Sequence, residues 1–215
     1  MIGITMPYFI SRCALATCLG LASLSAASVE GTITFEKAPP TGMLVWVPGV
    51  THAAQAKARI DQKGKVFLPA VVAARSGTTV IMHNSDEIQH NGYASDKAAN
   101  VVIDTGLNAP ASDTVIDVAW PVGKVVKFGC KIHPGMQAWI ASLDTDAWVT
   151  PTSLPDSPKV AKFTLSDVPA DVTVLHVWTS KYGEVELKLE GKKPVTAPLG
   201  TGDKPAGTVT VTLNP

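Results

Sequence analysis

The stretch Phe128-Gly-Cys-Lys-Ile-His-Pro-Gly-Met136 decides how this chain is read. It carries Cys130, His133 and Met136 in a C-x2-H-x2-M spacing, and His90 lies upstream, after the polar run Asn84-Ser-Asp86. A thiolate, two imidazoles and a thioether are the donor set of a blue copper site, in which soft sulfur and imidazole nitrogen hold the ion in a plane and a weak sulfur sits on the axis. One short loop supplies three of these donors. The fourth must come from elsewhere in the fold, and His90 is placed to provide it.

The remaining cysteines sharpen the assignment. Cys13 and Cys18 belong to an opening segment with one charge, Arg12, an apolar run over 13–24 and the small residues Ser25-Ala-Ala27. That is the grammar of a secretory signal peptide, expected over residues 1–27, and the run is short of the ~20 residues of a membrane span. A lipid anchor at Cys18 is the alternative, but Thr17 fits poorly before the cysteine and the apolar run continues past it. Export to the periplasm or beyond leaves Cys130 as the sole thiol in an oxidising compartment, with no partner for a disulfide. Metal ligation gives such a thiol a purpose.

Charge is uninformative about partners except by exclusion. The chain has 18 basic and 18 acidic residues, and loss of Arg12 leaves 17 against 18. A nucleic-acid footprint would be basic. Nothing after the leader offers an integral membrane span, and roughly 190 residues remain, enough for one large or two small domains.

Strand and turn dominate this remainder. Val29, Gly31, Ile33 and Phe35 alternate with Glu30, Thr32 and Thr34, the period-two mark of a half-buried strand. Leu44–Val47, Phe67–Ala74, Thr78–Met82, Val101–Ile103, Val115–Ala119, Val125–Phe128, Gln137–Leu143, Phe163–Pro169, Val172–Trp178 and Thr208–Leu213 continue the pattern. Turns such as Gln62-Lys-Gly64 separate them. A short helical turn is expected within Thr51–Ala58, a proline-rich linker or long loop over Thr150–Pro158, and a loop over 191–207. Strands at this spacing predict an all-β sandwich or barrel.

The segment Val80-Ile-Met-His-Asn-Ser-Asp-Glu-Ile-Gln-His-Asn91, taken with Phe128–Met136, resembles the cupredoxins, and the short ligand loop is similar to that of amicyanin rather than to the longer loop of plastocyanin. The resemblance covers roughly residues 53–143. It implies a Greek-key β-sandwich with one type 1 copper held by His90, Cys130, His133 and Met136. It also implies that Asn91, directly after the first ligand, ties that ligand's loop to the loop carrying the cysteine. Asn84 is expected to organise the turn leading to His90.

A second resemblance covers the rest. Phe163-Thr-Leu-Ser-Asp-Val-Pro-Ala-Asp-Val-Thr-Val-Leu-His-Val-Trp178 is similar to the F-x-L-x-x-V-P-x-G-x-Y-x-L-x-V-W stretch of carboxypeptidase-regulatory-like, transthyretin-like sandwiches, with Asp171 and Thr173 in place of the usual glycine and tyrosine. The combined order resembles bacterial proteins of methylamine-utilisation type. The implied layout is a leader over 1–27, N-terminal strands over 28–50 that could complete the second sandwich, a copper domain over 51–149 and a C-terminal sandwich over 150–215.

Bland readings compete residue by residue. A lone buried cysteine is usually a small hydrophobe, and His52, His83 and His176, which lie outside the motif, are read as structural or solvated. Trp120, Trp139 and Trp148 are read as core. Zinc accepts Cys and His but is poorly served by Met136. A cysteine nucleophile with His133 as base leaves His90 and Met136 without a role, and the H-x-H pairs of multicopper enzymes are absent. The expectation is a non-enzymatic protein carrying single electrons between redox protein partners. The alternatives are a periplasmic copper-delivery protein and a structural sandwich with a vestigial site.

Overall fold

The computed structural model describes residues 26–52, 57–200 and 205–215. Most of the expected leader therefore lies outside the described residues, as does the middle of the expected turn at Thr51–Ala58. Ala26 and Ala27, assigned to the leader by the sequence pattern, open the first strand, and Ala27 is buried. None of the described residues forms a helix, and hence no helix among them is long and apolar enough to cross a membrane.

The strands run, in chain order, β1 (Ala26–Phe35), β2 (Met43–Trp46), β3 (Ala58–Lys63), β4 (Val66–Leu68), β5 (Val71–Arg75), β6 (Thr79–Asn84), β7 (His90–Asp96), β8 (Val101–Asn108) and β9 (Asp113–Asp117). They continue with β10 (Val125–Gly129), β11 (Gln137–Leu143), β12 (Trp148–Val149), β13 (Thr152–Leu154), β14 (Ser157–Pro169), β15 (Val174–Thr179), β16 (Gly183–Lys188), β17 (Val195–Leu199) and β18 (Gly207–Asn214). Four sheets result, ordered β13-β14-β1-β18-β17, β12-β2-β15-β16, β5-β11-β10-β7-β8 and β4-β3-β6-β9.

The first two sheets enclose one core. Val29, Ile33 and Phe35 of β1 point into it while Glu30 and Thr34 face out, as the alternation requires. Gly31 sits in this strand because the Phe163 ring lies over it: a Cβ there would fall 2.1 Å from Phe163 Cζ. The N-terminal strand is thus threaded between β14 and β18, and β2 pairs with β15. Trp148 and Val149, which the sequence reading put in the central domain, hydrogen-bond with β2 as β12.

The other two sheets form an all-β Greek-key sandwich around Ile60, Met82, Val126, Phe128 and Ile140. The predicted strand Phe67–Ala74 is two strands. Pro69, which cannot donate to a ladder, breaks it, so that β4 stays beside β3 while β5 crosses to pair in parallel with β11 in the facing sheet. Strands β3 and β7 carried no apolar alternation because polar residues, Gln62 in one and His90 and Asn91 in the other, occupy buried positions. The expected loop over 191–207 contains β17, paired with β18, and the expected linker over 150–158 contains β13 and the start of β14.

The two sandwiches meet along a third apolar cluster. Alternation lets β2, β5 and β11 each serve two cores: Val45 faces one sandwich, Val72 and Ile140 the other, while Leu44, Trp46, Val71, Ala73, Trp139, Ala141 and Leu143 close the seam between them.

Candidate metal centre

The C-x2-H-x2-M segment is the connection between β10 and β11, an antiparallel pair whose last matched residues are Gly129 and Gln137. Cys130 leaves the sheet immediately after Gly129, and Met136 re-enters it immediately before Gln137. The tight turn is closed by Met136 N–H donating to the His133 carbonyl at 2.9 Å. Both sulfur residues are buried, whereas His133 is half-buried and Pro134 and Gly135 are exposed.

β10 also pairs with β7, where Gly129 stands opposite Tyr93. That pairing brings His90, the first residue of β7, to the loop. His90 Nδ1 lies 3.1 Å from His133 Nδ1, and Cys130 Sγ lies 3.7 Å from the same nitrogen. One donor atom from each of His90, Cys130 and His133 falls within 4.8 Å of the others. Cys130 and Met136 border one cleft, shared with Tyr93, Ala94 and Pro134.

His90 is fully buried, so its outer nitrogen needs a protein partner. Asp86 supplies it: His90 Nε2 lies 2.8 Å from Asp86 Oδ2. Asp86 also accepts from the backbone N–H groups of Gly64 at 2.6 Å and Lys65 at 3.0 Å. Those bonds, that from Lys65 first, hold its carboxyl down at about 2 against the opposing effect of burial. An ionised carboxylate only accepts, so Nε2 of His90 donates to it, and in the neutral ring Nδ1 is then the nitrogen with the free lone pair. The two Nδ1 atoms can then share one proton or one metal ion. Burial pushes the His133 imidazolium down, with His90 and Lys65 adding to the effect, which favours the neutral form that ligation needs.

Asn84 is fully buried at the end of β6. Its amide donates to the carbonyls of Ile88 at 2.8 Å and Asn108 at 3.1 Å, and its oxygen accepts from Asp86 N–H at 3.0 Å. The loop that ends in His90 is wrapped around this one side chain. Asn91 donates to Asp104 Oδ1 at 2.7 Å and to the Gly106 carbonyl at 2.9 Å. Its oxygen accepts from Lys131 N–H at 3.4 Å, a longer bond into the cysteine loop.

Several contributors escaped the sequence reading. Asp86 stands in the sequence as one member of a polar run, and nothing in its spacing marks the turn at Gly64 and Lys65 as its partner. On the outer face, Lys131 pairs with Asp104 and lies 4.6 Å over the Tyr93 ring. His83 and His176 stand away from the centre, each bonded to a carboxylate, Asp113 and Glu184 respectively. Trp120 and Trp139 are buried, and Trp148 is half-buried.

No family model matches the chain, and no curated protein matches it. Among solved structures it is similar to a purple cupredoxin from Nitrosopumilus maritimus, with 19% identity and a TM-score of 0.34 over 40% of this chain and 99% of that one. It is similar to a Cu-containing nitrite reductase from Thermus scotoductus, with 23% identity and a TM-score of 0.36 over 43% of this chain and 24% of that one. It is also similar to amicyanin from Paracoccus versutus, with 18% identity and a TM-score of 0.36 over 51% of this chain and 96% of that one.

Proposed function

We propose that this protein is a type 1 copper protein of the cupredoxin kind that carries single electrons between redox protein partners in the periplasm. The observation that carries the reading is the convergence of His90 Nδ1, His133 Nδ1 and Cys130 Sγ from one strand and one loop. The donor chemistry fits copper: two imidazole Nδ1 atoms turned toward one another, one thiol beside them, and the Met136 thioether on the same cleft as the thiol. When bound, copper supplies a one-electron couple.

The protein's own residues do the remainder. Cys130 and His90 are buried beneath the sheet ends, which keeps water from the donors. Asp86 holds His90 with its inner nitrogen free, and Asn84 fixes the loop between them. His133 alone of these donors reaches the surface, flanked by exposed Ile132 and Pro134, and its edge is the proposed route for the electron. No residue around the centre is assigned to act on a substrate. The β1, β2 and β12–β18 sandwich is proposed as carboxypeptidase-regulatory-like, on the strength of the Phe163–Trp178 stretch.

The deciding experiment is an optical spectrum of the purified protein with Cu(II). A visible thiolate-to-copper band that reduces and reoxidises reversibly supports the reading. Absence of that band, or rapid loss of Cu(I) to an acceptor in place of electron exchange, rejects it.

A further inference from the structure

We infer that Asp86 is a positioning residue for the metal centre, fixing the tautomer and ring plane of His90 from a mount built by the β3–β4 turn. The inference rests on the proposed metal-binding reading of His90. It adds a residue, and a part of the fold, that the donor motif does not contain.

The mount is specific. Lys63 and Val66 are the last matched pair of β3 and β4, so Gly64 and Lys65 form a two-residue hairpin loop. Both have positive φ, 63° and 59°, the combination of a type I′ turn. Lys65 adopts it without the freedom of glycine, which few side chains do. The two successive N–H groups of this turn converge on the Asp86 carboxylate, one on each oxygen, as backbone donors do in an anion nest. Asp86 Oδ2 is then left facing His90 Nε2 at 2.8 Å, and Asp86 N–H is held by Asn84. Both carboxylate oxygens and the backbone N–H of Asp86 are thus engaged.

Two consequences follow for His90. Its ring cannot flip without breaking a charge-assisted bond in a buried place, so Nδ1 stays directed at His133 and Cys130. A carboxylate behind an imidazole also makes the ligand more basic, which stabilises the more highly charged Cu(II) over Cu(I).

The test uses the full mature chain with Asp86→Ala and the nearly isosteric Asp86→Asn, which would have to turn an NH2 group toward Lys65 and His90 or toward Gly64. In metal-free protein, imidazole 15N shifts should report the Nε2–H tautomer of His90 in the wild type and a mixed population in both variants. With copper, Cu(II) affinity should fall by roughly tenfold to a hundredfold. If Cu(I) affinity holds, the potential should rise by about 59 mV for each tenfold. If the wild type binds no copper, the metal reading fails, and the tautomer measurement alone decides the role of Asp86. Variants that lose only thermal stability, with tautomer, affinity and potential unchanged, would reduce Asp86 to a loop clasp and overturn the inference.

Discussion

Trp139 of β11 and Trp178 of β15 meet across the seam between the two sandwiches, with ring centroids 6.1 Å apart and planes inclined by 59°. The backbone of Gly42 closes over the same indole: a Cβ there would lie 2.9 Å from Trp139 Cε3. The sheet that presents the Cys130–Met136 loop is therefore braced on its back by the other sandwich.

This bracing sets the first prediction. Trp139→Ala should cost about 3–5 kcal/mol, the usual range for emptying a buried tryptophan site, measured by urea unfolding of the metal-free protein. An isolated fragment over residues 51–150 should retain the core around Ile60, Phe128 and Ile140 but expose Val71, Ala73, Trp139 and Leu143. It should self-associate in light-scattering measurements. A monomeric fragment as stable as the full chain would show that the seam contributes nothing.

The ligand set gives the second. Cys130→Ser should abolish the visible band, since a hydroxyl cannot replace a soft thiolate donor. Met136→Gln should keep a coloured site at lower potential, because an axial oxygen favours Cu(II). A Cys130→Ser protein that keeps its colour would remove Cys130 from the centre.

Electron exit is the third. Pro134 is exposed beside His133, so Pro134→Lys or Pro134→Glu should slow exchange with the natural partner while leaving the spectrum nearly unchanged. With a net charge near zero, wild-type exchange should depend weakly on salt. Exchange insensitive to charge at Pro134 but suppressed by charges on the β13-β14-β1-β18-β17 face would rule out the route through His133.

Acid sensitivity supplies the fourth. The His83 hydrogen bond, aided by the Arg59 charge, holds the Asp113 carboxyl below its ordinary 3.8. The unfolded chain thus takes up this proton first, and the contribution of Asp113 to stability is present above about pH 4 and lost as pH falls through the folded value. Asp113→Asn should be less stable than wild type at pH 6, with the gap narrowing toward pH 2 in urea titrations. A gap that widened with acid would reverse the sign of this linkage.

The local chemistry was legible because it is local. Cys130, His133 and Met136 are close in space for the same reason that they are close in sequence: one hairpin connection carries all three. The alternation of β1 likewise declared its buried face, since a strand's side chains must alternate whatever it pairs with. His90, 43 positions from His133, was expected as the fourth donor from the donor set and the cupredoxin resemblance, but the pairing of β7 with β10 that brings it there left no pattern in the polar β7. The same holds for Asp86, whose partners are backbone N–H groups of a distant turn and so leave no side-chain signature. Phe67–Ala74 read as one strand because its apolar run continues through Pro69, and nothing local shows that the chain breaks and changes sheets there. Leu44 and Trp46 read simply as apolar; that they seal a seam rather than one core depends on a second sandwich arriving on the other side of β2. Spacing along the chain fixes which donors are available, and only long-range strand pairing decides which of them share a site, because backbone hydrogen bonds between strands carry no residue code.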